Sequence, residues 1–189
     1  MWVANKGVEH KDVPATCVDW QSGRIHRVVK STLSGEGCAL SSMHDRLDYA
    51  RCILAEMLGT LKPTMKWTES LEMVPGYLMT DCMSLQDMMK KIGSLTAEKR
   101  TSLDVMAIRE EIERGRLQLR WVPTRHMLAD ILTKKMKPPP YYTAVMKKGL
   151  LSLVESVEAK NVMKGLFANG DSKTGPRVGT EPMLSLIHI

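Results

Sequence analysis

Three acids in this chain stand at places where an acid costs something. Glu36 lies three residues after Leu33 and four before Leu40, on the apolar stripe of a long helical pattern. Asp81 follows directly on the apolar run Gly76–Thr80, at the end of what reads as a buried strand. Asp130 sits among Met127, Leu128, Ile131 and Leu132, where helical spacing asks for an apolar or small residue. A carboxylate at such a position is unfavourable unless it has a partner or a metal. Each also has an ordinary structural reading. Glu36 and Asp130 complement the dipole at a helix start, and Asp81 is a turn or N-cap residue, with Ser84 as a competing cap. Brought together, several carboxylates without His or Cys partners suit a hard cation such as Mg²⁺ or Mn²⁺. Two such ions about 4 Å apart activate a water and stabilise the leaving oxygen in phosphodiester hydrolysis.

The elements that must position these acids can be read from periodicity. Met1–Asn5 reads as the tail of a strand that began earlier, so an N-terminal truncation is expected. Val13–Gln21 is the next strand, and Arg24–Lys30 alternates weakly, as a short strand or an extension of it. Ser31-Thr32 caps a long helix with Leu33, Leu40, Met43, Leu47, Ala50, Leu54 and Met57 on one stripe, closed by Gly59. Asp45 and Asp48 fall off that stripe and read as solvated charges. Residues 60–75 form a loop with a short helical piece at its centre. Gly76–Thr80 is a central strand, and Met83–Ile92 is a short helix broken at Gly93-Ser94. Arg100–Arg114 is a helix with Leu103, Met106, Ile108 and Ile112 as its apolar side. Leu117–Val122 alternates as a strand and stops at Pro123, which has no N–H for a ladder. Thr124 is a fitting N-cap for the helix that carries Asp130. After the prolines at 138–140, residues 141–167 read as helix, broken near Gly149 or Gly165, and 169–182 read as disordered.

The totals set bounds. A chain of 189 residues with 43% hydrophobic content supports one domain with appendages. A net charge of +6 and a pI near 9.2 allow an anionic partner without demanding one. Lys90, Lys91, Lys99, Arg100, Arg116, Arg120 and Arg125 could contact phosphates, or form an ordinary solvated face. The cysteines at 17, 38, 52 and 82 make no metal-finger pattern and no disulfide framework. No apolar run approaches a membrane span and no secretory signal is visible, so an intracellular, reducing setting is expected.

The string WVPTRHMLADILTKKM closely resembles the end of the ribonuclease H domain in the Pol polyprotein of copia-type LTR retrotransposons, where a "VPT" strand end leads to "LAD-x-x-TK". Three further stretches resemble that domain in order: RVVKSTLSGEGCAL its Glu-bearing helix start, YLMTDCMSL its "DN-x-S" strand end, and KRTSLDVMAIREEIERGRLQLRWVP its last helix and strand. DWQSGRIHRVV resembles a strand in which Asp19 is not catalytic. The resemblance covers about Trp2 to Lys135. It implies Glu36, Asp81 and Asp130 as catalytic metal ligands, Mg²⁺ or Mn²⁺ as cofactor, and His126 as an auxiliary to product release. It implies an RNA–DNA hybrid as substrate and the reverse transcriptase portion of the same polyprotein as partner. A cytoplasmic particle or the nucleus would be the location. Lys90, Lys91, Arg100 and Arg125 are then the nucleic-acid contacts to expect. The implied fold is α/β, a ribonuclease H-like mixed sheet flanked by helices that lacks its first strand, over residues 1–137. A helical extension (138–168) and a tail (169–189) follow. The family's first catalytic Asp, on an opening strand, matches no residue here, so the chain as written is expected to be inactive or very weak. Cys82 replaces the usual Asn, Ser102-Leu103 replaces a basic-His element, and the 60–75 loop is longer than expected. The last six residues, LSLIHI, resemble the translated end of a transposase-type sequencing adapter and are set aside as an assembly scar.

Overall fold

The computed structural model describes residues 1–62, 64–91, 93, 98–154 and 184–188. Its elements are β1 (Trp2–Asn5), β2 (Val13–Cys17), α1 (Thr32–Met57), α2 (Trp67–Met73), β3 (Gly76–Thr80), α3 (Met83–Lys90), α4 (Lys99–Glu113), β4 (Leu117–Trp121), α5 (Asp130–Thr133), α6 (Pro140–Lys148), β5 (Leu150–Leu151) and β6 (Leu184–His188). The strands form one mixed sheet in the order β4-β3-β6-β1-β2-β5. β3 runs parallel to β4 and to β6, while β1 is antiparallel to β2 and to β6.

The period-two pattern of the strands sorts the core into two layers. Leu78, with Met1 and Leu117, packs under Leu40, Leu47, Leu85, Met88, Val105 and Ile108 of α1, α3 and α4. Tyr77, Met79, Trp2 and Ala4 face the other way, onto Leu128, Val145 and Leu151. Gly76–Thr80 is buried along its whole length, as a central parallel strand must be.

Several expected boundaries hold and others shift. Ser31 caps α1 by accepting the Ser34 N–H at 3.1 Å, and Gly59 ends the helix with a left-handed φ of 67°. β2 stops at Cys17 rather than Gln21, because its ladder with β1 ends at the Trp2–Cys17 pair. Arg24–Lys30 is not a strand. Arg27 instead donates to Asp104 at 2.8 Å and to the Cys38 sulfur at 2.7 Å, tying this segment to helices. The buried side of α4 is Thr101, Val105 and Ile108, with Ile112 packed beside them. Leu103, expected inside, is 66% exposed, because 101, 105, 108 and 112 share one helical stripe and 103 and 106 do not.

Thr124 does not cap a helix through Asp130. A 3₁₀ turn covers Thr124–His126, and α5 begins at Asp130 itself with no side-chain cap. The chain after Pro138 is no appendage. Val145 of α6 enters the second core layer, Gly149 reverses the chain in the left-handed region, and β5 pairs with β2. The remainder of the expected helix from residue 155 and the tail 169–183 lie outside the described residues. Leu184–His188, set aside in the sequence, forms β6 and pairs on both sides. β1 and β3 would otherwise each present a row of unpaired N–H and C=O groups, and an extended apolar segment satisfies both.

Candidate functional site

Asp81 is the best-fixed of the three acids. The β3–β4 ladder continues past the strand end through Val122 N–H to Thr80 O at 2.9 Å. The Thr80 hydroxyl accepts the Cys82 N–H at 3.1 Å, and the Trp121 indole N–H donates to Asp81 O at 3.0 Å. The Thr124 hydroxyl then donates to the Asp81 carboxylate at 3.0 Å. Thr124, read in the sequence as a helix cap, thus holds an acid on another element.

Glu36 is the fifth residue of α1, half-buried, one residue before Gly37. Gly37 lets α1 approach α4 closely, since a Cβ there would meet the Thr101 methyl at 2.9 Å. Asp130 is 8% exposed at the start of α5, and its Oδ2 accepts from the Lys134 ammonium at 2.8 Å.

Glu36 feels the charge of both other acids. Burial first, then the Asp81 carboxylate, raise the Glu36 carboxyl above its ordinary value. Lys134 pulls it back, and Asp130 adds to the rise. The hydrogen bond to Asp130 raises the Lys134 ammonium, and the charges of Asp130, Asp81 and Glu36 reinforce it. Burial, then Glu36 and Asp81 against opposing backbone N–H groups, raise the Cys82 thiol, which is therefore neutral. The charges of all three acids act on Lys134, whose ammonium pairs with Asp130.

All-oxygen donors suit a hard divalent cation. The arrangement does not: among the described residues, no three His, Cys, Asp or Glu side chains converge closely enough to hold a metal ion. No step through a metal follows from this geometry.

The other expected residues divide. His126 is half-buried with its ring 5.0 Å from that of Tyr141, against α6. Lys90, Lys91, Lys99, Arg100 and Arg125 are exposed. Arg116 and Arg120 are structural instead. Arg116 lies 3.3 Å from Glu72 and 3.5 Å from Glu111. Arg120 bonds Glu9 and Leu153 O and lies over the Tyr77 ring. Sequence reasoning missed Lys134 as part of the site, although its i,i+4 spacing from Asp130 is a readable signal.

No family model matches the chain, and no curated protein or solved structure matches it.

Proposed function

We propose that this chain is a ribonuclease H-type domain from the Pol polyprotein of a copia-type retrotransposon, with an RNA–DNA hybrid as its ligand. The observation that carries the reading is the electrostatic coupling of Glu36, Asp81 and Asp130, three acids distant in sequence, in the order and on the kinds of element that the resemblance calls for. The mixed α/β sheet flanked by helices is compatible with that fold. The lineage's activity is two-metal hydrolysis of the RNA strand, with Mg²⁺ or Mn²⁺ as cofactor. The reverse transcriptase portion of the same polyprotein is the protein partner, and a cytoplasmic particle or the nucleus is the place of action. No helix among the described residues is long and apolar enough to cross a membrane, which is compatible with this.

Hydrolysis by the chain as written is absent or very weak. β4 and β6, the strands on either side of β3, carry no acid, so neither supplies a further carboxylate beside Asp81. The failure of the three acids to converge on a metal favours a second reading, a nucleic-acid-binding or polymerase-partner module without catalysis.

The test is a labelled RNA–DNA hybrid incubated with Mg²⁺ or Mn²⁺, beside an Asp81→Asn control. Salt-sensitive hybrid binding with little or no cleavage is expected. Cleavage lost in Asp81→Asn would show that three carboxylates suffice. Absence of hybrid binding and of cleavage overturns the reading.

A further inference from the structure

β4 closes the sheet at one end, so among the described residues it has a strand partner on one side only. Beside it lies a cavity of about 490 Å³, within the range of sites that enclose a small molecule. Residues 118–123 all line it. Successive strand side chains point to opposite faces, so the cavity follows the open edge of β4 rather than either face of the sheet. From α3 come Gln86 and, one turn later, Lys90. Gln86 is 4% exposed, and its Oε1 is buried with no hydrogen-bond donor. A buried amide oxygen without a donor is costly, and folded proteins rarely leave one. Other walls are apolar and aromatic: Met79 and Leu128, with the rings of Trp121, His126 and Tyr141. The Trp121 ring is anchored by its N–H bond to Asp81 O at 3.0 Å, and the His126 and Tyr141 rings lie 5.0 Å apart.

We propose that this cavity binds a mononucleotide, with an N–H of its base donated to Gln86 Oε1. The group that Gln86 lacks must be a donor, and a nucleobase carries one on a flat ring. Aromatic side chains accept such a ring by stacking, whatever the base. Lys90 is exposed and lines the same cavity, so it supplies a positive charge for the phosphate. A purely apolar ligand would leave Oε1 unpaired. A single bridging water, with a share of about 30 Å³, would leave most of the cavity empty. Glu36, Asp81 and Asp130 do not line this cavity, and the proposal does not rest on the nuclease reading.

The experiment is calorimetric titration of the full chain with adenosine 5′-monophosphate. The exocyclic amino group is the only N–H donor of its base. Purine riboside 5′-monophosphate has the same ring system and phosphate without that group. The unaltered chain is expected to bind the adenine nucleotide about tenfold more tightly than the purine one, or better. Adenosine, which lacks the phosphate, should bind more weakly than its monophosphate. Gln86→Leu removes the acceptor and keeps the bulk, so the preference for the amino-bearing base should vanish. Tyr141→Leu should weaken both nucleotides alike, because it removes a ring and no hydrogen bond to the base. Far-ultraviolet dichroism checks that each variant is folded, and Gln86→Met serves if the Leu variant is not. No binding of the adenine nucleotide overturns the proposal. So does equal binding of the two nucleotides by the unaltered chain, adenosine binding as tightly as its monophosphate, or a preference that survives in a folded Gln86 variant. Hybrid binding can fail while the nucleotide binds, or hold while it does not, so the two readings fall separately.

Discussion

A single buried side chain ties the far end of β3 to the helices that cover it. Arg51, on the inner face of α1, is 1% exposed. Its guanidinium donates to Val74 O at 2.7 Å, to Arg116 O at 2.6 Å, to Leu71 O and to the Asp48 carboxylate at 3.0 Å. Asp48, which the helical wheel assigns to solvent, is therefore the half-buried partner of a buried charge. Gly76 belongs to the same arrangement, because a Cβ there would lie 3.1 Å from the Arg51 Nη1. Arg51→Met leaves three carbonyls and a carboxylate without their donor, and about 3–5 kcal/mol of stability should disappear in urea unfolding. Gly76→Ala should cost roughly 1–3 kcal/mol by overpacking against that guanidinium. A second ion pair sets a pH dependence. Burial raises the Asp19 carboxyl, but the hydrogen bond and charge of Arg46 outweigh it, and the net shift is below the ordinary value of 3.8. A carboxyl depressed by folding stabilises the fold above its unfolded pKa, and that contribution is lost as pH falls through its folded pKa. Asp19→Asn should therefore be less stable than the unaltered chain at neutral pH. The gap should close as pH drops below about 3.8, read from urea midpoints at a series of pH values. A constant gap would mean that Asp19 acts by packing rather than charge.

At the scale of elements, what could be read in the sequence depended on whether the signal was local. Gly76–Thr80 and Leu117–Trp121 match because a short apolar run bounded by Pro-Gly and a strict alternation ending at Pro each carry their own limits. The start and end of α1 match because a Ser cap and a left-handed Gly are local devices. The segment after Pro123 does not match, because the Thr124 hydroxyl is taken by Asp81, 43 residues away, and a helix that would have used it as a cap is cut to four residues. The same rule covers the site. The three acids were legible as residue types at unusual positions, whereas Thr124 and Trp121 gain their roles from neighbours met on folding. Thr124→Val removes the hydroxyl at Asp81 while keeping shape, and about 1 kcal/mol of stability should go with that bond. β6 is the strongest case of non-local pairing: its partners are residues 2–5 and 76–78, most of the chain away. Deleting residues 184–189 should expose the facing edges of β1 and β3. Hydrogen exchange should then accelerate at Trp2–Asn5 and Gly76–Leu78 while α1 and α4 keep their protection. Unchanged exchange in both strands would mean that β6 does not hold them in solution.

For the whole molecule, the net charge of +6 decides less than its distribution. Arg27, Arg46, Arg51, Arg114, Arg116 and Arg120 are engaged with acids within the fold. The cations that sequence reasoning assigned to a polyanion and the fold leaves exposed include Lys90 and Lys91 at the end of α3, Arg100 in the first turn of α4, and Arg125 in the turn before α5. Arg125 is the neighbour of Thr124, so one of these charges is attached directly to the segment that holds Asp81. On the proposed reading, these exposed cations are the groups that would meet a phosphate backbone. A cation that neutralises a phosphate releases a counter-ion, so removing one such cation should flatten the slope of log affinity against log salt by somewhat under about one. Lys90→Gln with Lys91→Gln should therefore weaken hybrid binding and flatten that slope by about 1–2. Arg120→Gln is the contrasting control. Its guanidinium is bound to Glu9 and Leu153 O, so its removal should lower stability while leaving the salt slope as it was. A slope that responds to Arg120 and not to the lysines would overturn the assignment of the polyanion to the exposed lysines.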